Sequence, residues 1–406
     1  MVSRRFIALF ASNLASLPVS LILTALLLRY LGVAGFGEVA WISAVLLLLG
    51  NILMETLQSF TLAGSARTHL INQLAGKPAM LTAIATAALA LLGWMIWGAD
   101  AYPLVNLGVV AGCLIPSMGL TGVIWAELRN RDDYLMPNLI NRILQAGVLL
   151  AGCTVLHHLN MLSVPTTLTL YALASLLTLL LLAAYQPGVA DPADWNPTGR
   201  LISYFKDNTI TISAPQITLI LPGFFVGPET LAVLRVAQQM ANLSLLLPTS
   251  LYYVYMPRLV QAFNAGLTPD YVAAMRFLRV WGSVALALAM AAAVILAPVV
   301  AFLFPGVDMR QTYQIFLLLS LGNLAATAFG PANHVLSLIG RVEFNFRLML
   351  ITVSILSVGG AFMMAMGADI LYFIGLTALT TMVVKIVAHV ELNKRIGKVE
   401  DPRCME

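Results

Sequence analysis

Long runs of apolar residues alternate with short polar stretches along almost the whole chain of 406 residues. An α-helix needs about 20 apolar residues to cross the roughly 30 Å hydrocarbon core of a bilayer. Twelve such runs are present, and they predict twelve membrane-spanning helices. The runs cover residues 6–30, 36–63, 79–98, 103–126, 137–157, 165–184, 207–225, 229–256, 277–304, 312–338, 345–366 and 370–390.

Polar side chains recur on one face of the eighth run. Between residues 226 and 249 they are separated by three, four and seven positions, which places them within one arc of about 100°. These residues are Arg235, Gln238, Gln239, Asn242 and Thr249. A charge in the middle of a membrane helix costs roughly 2.5–3.5 kcal/mol, so Arg235 should face protein, water or a ligand. We therefore predict that this helix forms the wall of a polar cavity.

The first two predicted helices also carry polar side chains. Asn13 shares a face of the first helix with small hydroxyl residues, and Asn51, Glu55 and Gln58 follow one face of the second. Small hydroxyls commonly serve helix packing, whereas a buried amide or carboxylate points more strongly to function. Glu55 is either paired with a cation or available to a proton or ion.

Three further ionisable residues, Arg142, His334 and Lys385, lie inside predicted helices. Arg142 either extends to the cytoplasmic interface or faces the interior, and Lys385 is interpreted as an interfacial anchor near the inner end of the last helix. His334 titrates near neutral pH if it lines a cavity, and otherwise it is a hydrogen-bonded structural residue.

Composition and charge agree with a membrane protein, since 60% of the residues are hydrophobic and only 10% are charged. With the N-terminus in the cytoplasm, 17 of the 22 Lys and Arg residues fall on that side, and only Arg29 and Arg310 fall at the outer edges. The positive-inside rule therefore predicts that both termini are cytoplasmic. This bias accounts for the net charge of +4, so no nucleic-acid partner is expected.

Motifs for soluble chemistry are missing or misplaced. Gly35, Gly37 and Ala40 match a dinucleotide-binding pattern, but they join two predicted membrane helices instead of a strand and a helix. His157 and His158 are adjacent and lack companion ligands, so no metal site is expected. The sequence contains no phosphate-binding loop, metalloprotease motif or nucleophile elbow. The chain is therefore predicted to be a transporter without a cofactor, and not an enzyme.

The chain divides into two similar halves. A shift of 195 residues aligns three pairs of identical residues: Phe10 with Phe205, Asn13 with Asn208 and Gly32 with Gly227. Residues 1–186 and 207–392 are accordingly predicted to form two six-helix lobes, with a cytoplasmic linker at 187–206 and a cytoplasmic tail at 393–406. Each half has an even number of spans, so the predicted fold is an all-α polytopic membrane protein whose lobes are related by a pseudo-two-fold axis along the membrane normal, around a central cavity.

Several short motifs resemble the multidrug/oligosaccharidyl-lipid/polysaccharide (MOP) exporter superfamily, and in particular its Wzx-type polysaccharide flippases. The first outer turn, residues 29–37, reads RYLGVAGFG. Gly227-Pro228-Glu229 begins the eighth predicted helix, Leu247-Pro248 lies within it, and Met256-Pro257-Arg258 ends it. The resemblance spans essentially the whole chain and includes the helix number and the duplication.

The resemblance implies a flippase of the bacterial inner membrane that works by alternating access. Its substrate would be an undecaprenyl-diphosphate-linked oligosaccharide, the repeat unit of a polysaccharide such as an O-antigen, moved from the inner to the outer leaflet. A polysaccharide polymerase, a chain-length regulator and membrane lipid are the implied partners. Arg235 and Arg142 suit the diphosphate, because guanidinium groups hold phosphate oxygens by charge-assisted hydrogen bonds. The amides of Asn13, Asn51, Gln239 and Asn242 suit sugar hydroxyls.

An ion gradient is the expected energy source, with Glu55 as the first coupling candidate and His334 as the second. A multidrug antiporter of the same superfamily is the main alternative, although a cavity for cations should be rich in carboxylates. A membrane scaffold for polysaccharide assembly that transports nothing is a third possibility. In that case the polar residues would pair within the bundle, and removing their charges would lower stability instead of transport.

Overall fold

The computed structural model describes residues 4–63, 84, 87–88, 91, 94–95, 103–130, 139–185, 198–264, 268–338 and 341–399. All regular structure in these ranges is helical, which confirms the predicted all-α class. We number the helices α1 Arg4–Ala63, α2 Pro103–Asn130, α3 Gln145–His158, α4 Val164–Tyr185, α5 Thr198–Ile220, α6 Pro228–Ser244, α7 Leu246–Asn264, α8 Thr268–Ile295, α9 Ala297–Leu303, α10 Met309–Ala328, α11 Ala332–Leu338, α12 Val342–Ser354, α13 Gly360–Ala365 and α14 Ile370–Val399.

Many of these helices are long and apolar enough to cross a membrane. Among the described residues six pass on their own: Val19–Gln58, Val105–Ala126, Val164–Ala184, Pro269–Ile295, Glu343–Ala365 and Ile370–Lys394. The first has 40 residues, which is enough for two spans, and α6 with the start of α7 makes a seventh candidate bent by 45°. The chain is therefore a multi-pass membrane protein. The third predicted helix, at 79–98, falls mostly outside the described residues.

The chain forms two compact units. One unit consists of Met1–Phe10 and Ser213–Glu406, and the other consists of Ala11–Ile212. The division passes through α1 and α5, both of which contribute to each unit. Gly32 and Gly227, which the sequence comparison aligned, each lie at a junction before the second helix of their half. The predicted bounds of the lobes, at 186 and 207, stay a prediction.

Helix breaks differ from the predicted loops. The expected glycine-rich turn at 29–37 is helical except at Gly32, whose φ of 72° and ψ of 174° favour glycine over residues with a side chain. The eighth predicted helix breaks at Leu245 and the tenth breaks after Ala328. Pro248 and Pro331 explain these breaks, because a proline ring clashes with the carbonyl group four residues earlier.

The unit built from Ala11–Ile212 packs through small residues. The second half of α1 approaches α2 so closely that a Cβ atom on Gly122 would lie 2.5 Å from the carbonyl oxygen of Met54. Farther along α2, the side chain of Asn106 accepts hydrogen bonds from Trp94 at 2.9 Å and Thr169 at 2.7 Å. Its amide nitrogen donates to the carbonyl oxygen of Pro165 at 3.1 Å. These contacts fix α4 against α2.

The second unit is organised around α10. Helices α6, α8 and α14 all pack against it. Gly322 of α10 lies against Ala378 of α14, where a Cβ atom would come within 2.9 Å of the Cα atom of Ala378. Nearby, α7 packs on α8. Consequently α6, which carries the predicted polar face, is supported by α10 from its apolar side.

The close contact at Gly122 gives a stability prediction. Gly122→Ala should lower the free energy of unfolding by about 1–3 kcal/mol, because the added methyl group meets backbone that cannot move aside. Gly108→Ala in the same helix is the matched control, since no atom lies within 4 Å of its added Cβ. Thermal unfolding of the two variants in detergent measures the difference. Equal melting temperatures would contradict the packing described for α1 and α2.

Candidate functional site

Helix α6 has one buried apolar face and one accessible polar face. Val233, Val236, Ala237, Met240 and Ala241 are among its buried residues. On the opposite side Arg235, Gln238 and Gln239 are half-buried, and Asn242 is exposed. Helical spacing puts these four polar residues within one arc of about 100°, as the sequence predicted. In a membrane protein an arginine on an accessible face needs water, a ligand or other protein groups around it.

The polar face of α6 ends earlier than the sequence predicted. Thr249 lies beyond the break at Leu245, in α7, and therefore does not continue the face of Arg235. Its hydroxyl group donates to the carbonyl oxygens of Leu245 at 2.9 Å and Leu246 at 3.0 Å. Thr249 thus satisfies carbonyl groups at the break. At the other end, Pro228 occupies the first turn and Glu229 complements the positive end of the helix dipole.

The second half of α1 carries the other predicted polar face. Asn51 and Glu55 are half-buried, and Gln58 is buried at 7% exposure. Gly50 and Leu53 contact α2 from a different face, about one-third of a turn round the helix. Glu55 is therefore placed beside the α1–α2 contact and not inside it. Its role as an ion-coupling residue stays a prediction.

Three predicted site residues cannot be placed by their side chains. Asn13 lies in α1, Arg142 lies in the π-helical turn Leu139–Leu144, and His334 lies in α11. Their side chains lie outside the part of the chain that the structure describes. Their predicted contacts with substrate or ions stay predictions.

A polar cluster that the sequence analysis missed links α8 to α14. The Nη2 atom of Arg279 lies 2.7 Å from Nδ1 and 3.0 Å from Nε2 of His389. The amide nitrogen of Asn393 lies 2.9 Å from Nε2 of the same imidazole. Tyr252 reaches the same region from α7, where its hydroxyl group donates to the carbonyl oxygen of Thr327 at 3.5 Å. Lys385, His389 and Asn393 recur at intervals of four in α14, and that spacing was the available signal.

The adjacent histidines His157 and His158 occupy the last turn of α3 and not the predicted loop. The ring of His157 stacks on Tyr30, with centroids 3.9 Å apart and planes 8° from parallel. The described residues contain no group of three or more His, Cys, Asp or Glu side chains that could hold a metal ion. The pair therefore has an observed packing role, which joins α3 to α1.

Comparison with known proteins places the fold. No protein-family model and no curated protein matches the chain. An outward-facing multidrug resistance MATE family transporter of the MOP superfamily aligns with a TM-score of 0.63 and 15% identity, over 98% of this chain and 96% of the other. A MATE in complex with MaL6 aligns with a TM-score of 0.64 and 13% identity over the same shares.

A third solved structure is a MOP superfamily transporter from Pyrococcus furiosus, described by the words "reverse polarity of binding pocket suggests different function". It aligns with a TM-score of 0.61 and 15% identity, over 98% of this chain and 96% of the other. At these identities the likeness establishes the fold. The chain therefore has the two-lobe fold of MATE transporters of the MOP superfamily.

Water access to the polar face of α6 can be measured by cysteine labelling. In a variant lacking Cys113, Cys153 and Cys404, Asn242→Cys should react with a membrane-impermeant maleimide, because thiolates form in water and not in lipid. Ala241→Cys, on the buried face at 3% exposure, should stay unlabelled. Leu288→Cys is the lipid control, since Leu288 is 66% exposed on an apolar helix. Equal labelling of positions 242 and 288 would show that α6 turns its polar face to lipid.

Proposed function

We propose that the chain is a flippase for an undecaprenyl-diphosphate-linked oligosaccharide. It moves the lipid-linked repeat unit from the inner to the outer leaflet of a bacterial inner membrane, with both termini in the cytoplasm. The observation that carries the proposal is Arg235, a half-buried guanidinium on the accessible polar face of α6 in a chain with the MATE fold. Guanidinium groups bind phosphate oxygens in a bidentate, charge-assisted way.

The rest of the polar face suits the glycan. Gln239 and Asn242 supply amide donors and acceptors beside Arg235, and both match sugar hydroxyl groups. The four polar residues of this face carry one positive charge and no negative charge. We assign Arg142 as a second contact for the diphosphate, and Asn13 and Asn51 as further contacts for sugars. The Pyrococcus furiosus transporter, with its reverse-polarity pocket, is a precedent for a change of pocket charge within this fold.

Transport is proposed to follow alternating access driven by an ion gradient. Helix α6 and α7 meet at a 45° bend, and discontinuous helices give a transporter places at which rigid segments can move. Glu55 is the coupling carboxylate in this proposal, with His334 as the second candidate. A polysaccharide polymerase and a chain-length regulator would act on the product at the outer leaflet.

A multidrug antiporter is the alternative function, and one observation favours it. Two of the aligned structures are described as multidrug resistance MATE family transporters. Such a protein would carry amphipathic cations, for which an arginine on the cavity wall is electrostatically unfavourable. The two functions therefore predict opposite effects when the charge of Arg235 is removed.

The decisive test is flipping of a fluorescent undecaprenyl-diphosphate oligosaccharide in proteoliposomes. Arg235→Gln should lower the flipping rate about 10-fold or more, because hydrogen bonds to charged groups contribute about 1.5–3 kcal/mol. Arg310→Gln is the matched control, since Arg310 is an exposed arginine at the start of α10 in the same unit. It should flip the substrate at the parental rate.

The result separates the two functions. Unchanged flipping by Arg235→Gln at equal folded protein would remove this residue from the substrate site. Faster export of a cationic dye by the same variant, with no flipping by the parent, would assign the multidrug function instead.

A separate prediction concerns energy coupling. Glu55→Gln should abolish the dependence of flipping on an imposed proton or sodium gradient, because the neutral amide cannot exchange a proton or neutralise a cation. The rate should be compared at several gradients, with Gln58→Glu/Glu55→Gln as a test of whether a carboxylate one turn away restores coupling. Full gradient dependence in Glu55→Gln would show that coupling occurs elsewhere.

A further inference from the structure

The cluster around Arg279 bridges two helices at the point where a third is broken. Arg279 belongs to α8 and His389 to α14, and both helices pack against α10. The aromatic ring of Phe329, at the break between α10 and α11, lies 5.8 Å from the imidazole ring of His389. A Cβ atom on Gly330 would lie 3.4 Å from Cγ of Arg279. The guanidinium group is thus held beside the break by packing as well as by His389.

This cluster has more hydrogen-bond donors than acceptors. A guanidinium can only donate, so the hydrogen bond from Arg279 requires the imidazole of His389 to accept. The Nε atom of Arg279 and the hydroxyl group of Tyr271 are buried and have no hydrogen-bond partner. Tyr271 and Tyr252 both lie close enough to Arg279 to interact with it electrostatically. In the part of the chain that the structure describes, no carboxylate forms an ion pair with Arg279.

Lys385 adds a second cation one helical turn from His389. Residues four apart on a helix are neighbours on its surface, with Cβ atoms about 5–6 Å apart. Lys385 is half-buried and forms no hydrogen bond or ion pair with any residue described in the structure. The buried residues Val384 and Ala388 beside it show that this side of α14 packs against protein. Two cations and a histidine therefore share one site without a described counter-charge.

The depth of the site matches the phosphate level of a bilayer. The apolar span of α14 ends at Lys394, five residues after His389 and therefore about 7.5 Å farther along the helix axis. Arg276 lies one turn before Arg279 and is exposed. Trp281 is 54% exposed, and exposed tryptophan in membrane helices is typical of the headgroup interface.

An exposed apolar row continues from this point towards the middle of α8. Val280, Val284 and Leu288 follow Arg276 at intervals of four and are 51%, 42% and 66% exposed. At its polar end the row adjoins a groove lined by Val272, Arg276, Phe277 and Trp281. A basic head region followed by an apolar track has the chemistry of a bound phospholipid, and basic pockets between membrane helices bind anionic headgroups.

We propose that Arg279, Lys385 and His389 form a binding site for the phosphate group of an anionic membrane phospholipid, with Arg276 at its rim and the acyl chains along Val280, Val284 and Leu288. The phosphate oxygens supply the acceptors that the cluster lacks. The lipid also covers the helix break at Phe329 and Gly330, so an occupied site stabilises the packing of α8 and α14 on α10. The site is separate from the polar face of α6 and does not depend on the proposed substrate.

The experiment is lipid binding to the purified full-length protein by native mass spectrometry. Phosphatidylglycerol and phosphatidylcholine with the same acyl chains are titrated separately. The parent should bind phosphatidylglycerol at least about fivefold more tightly than phosphatidylcholine, and each removed charge should reduce that preference about fivefold. The variants are Lys385→Gln and Arg279→Gln. Arg279→Lys keeps the charge and should keep most of the preference.

Arg341→Gln is the matched control, because Arg341 is an exposed basic residue at the start of α12 in the same unit. It should leave the lipid preference unchanged. An undiminished preference in both Lys385→Gln and Arg279→Gln would overturn the site. An equal loss in Arg341→Gln would also overturn it, since the effect would then be non-specific charge attraction.

A second readout distinguishes a lipid headgroup from free phosphate. Phosphatidylglycerol should raise the melting temperature of the parent and of Arg341→Gln, but not that of Lys385→Gln. Inorganic phosphate alone should raise none of them. A rise with inorganic phosphate equal to that with phosphatidylglycerol would overturn the assignment to a lipid, because the acyl track would then contribute nothing.

Discussion

The hydrocarbon core of a bilayer offers no hydrogen-bond partner to a backbone group, so a chain that crosses it must satisfy its own amides and carbonyls. Helices meet this constraint along their length and fail it where they break. Several breaks in this chain have a hydroxyl group beside them. Thr249 donates to Leu245, Tyr252 donates to Thr327, and Tyr313 donates to the carbonyl oxygen of Ala293 at 3.1 Å. Proline places these breaks, and nearby side chains make them tolerable.

The same constraint makes the position of each charge informative. Arg235 lies on the side of α6 that does not pack on α10, whereas Arg279 lies between helices and contacts His389. One arginine therefore faces a space that a substrate could occupy, and the other belongs to an interior cluster with unsatisfied donors. Their different surroundings follow from which helix face each residue occupies, because helix packing against α10 fixes the rotation of α6, α8 and α14.

Much of this architecture could be predicted from the sequence, because hydrophobic length and helical spacing are local properties. The positions of most helices and the polar face from Arg235 to Asn242 were predicted in this way. The break at Leu245 was missed, although Pro248 was visible, because prolines also occur inside intact helices such as α2 at Pro116. The Arg279–His389 contact joins residues 110 positions apart. Local spacing carries no information on such a contact, so only the packed structure reveals it.

The junction at Gly32 gives the first helix pair an unusual mechanical property. A loop of several residues would let one helix swing without disturbing the next, because the slack is shared among many torsion angles. Here a single residue departs from helical angles, and each residue contributes only two soft dihedrals. The two arms of α1 therefore behave like a crank with one joint, and a rotation of one arm is transmitted to the polar face that carries Asn51 and Glu55.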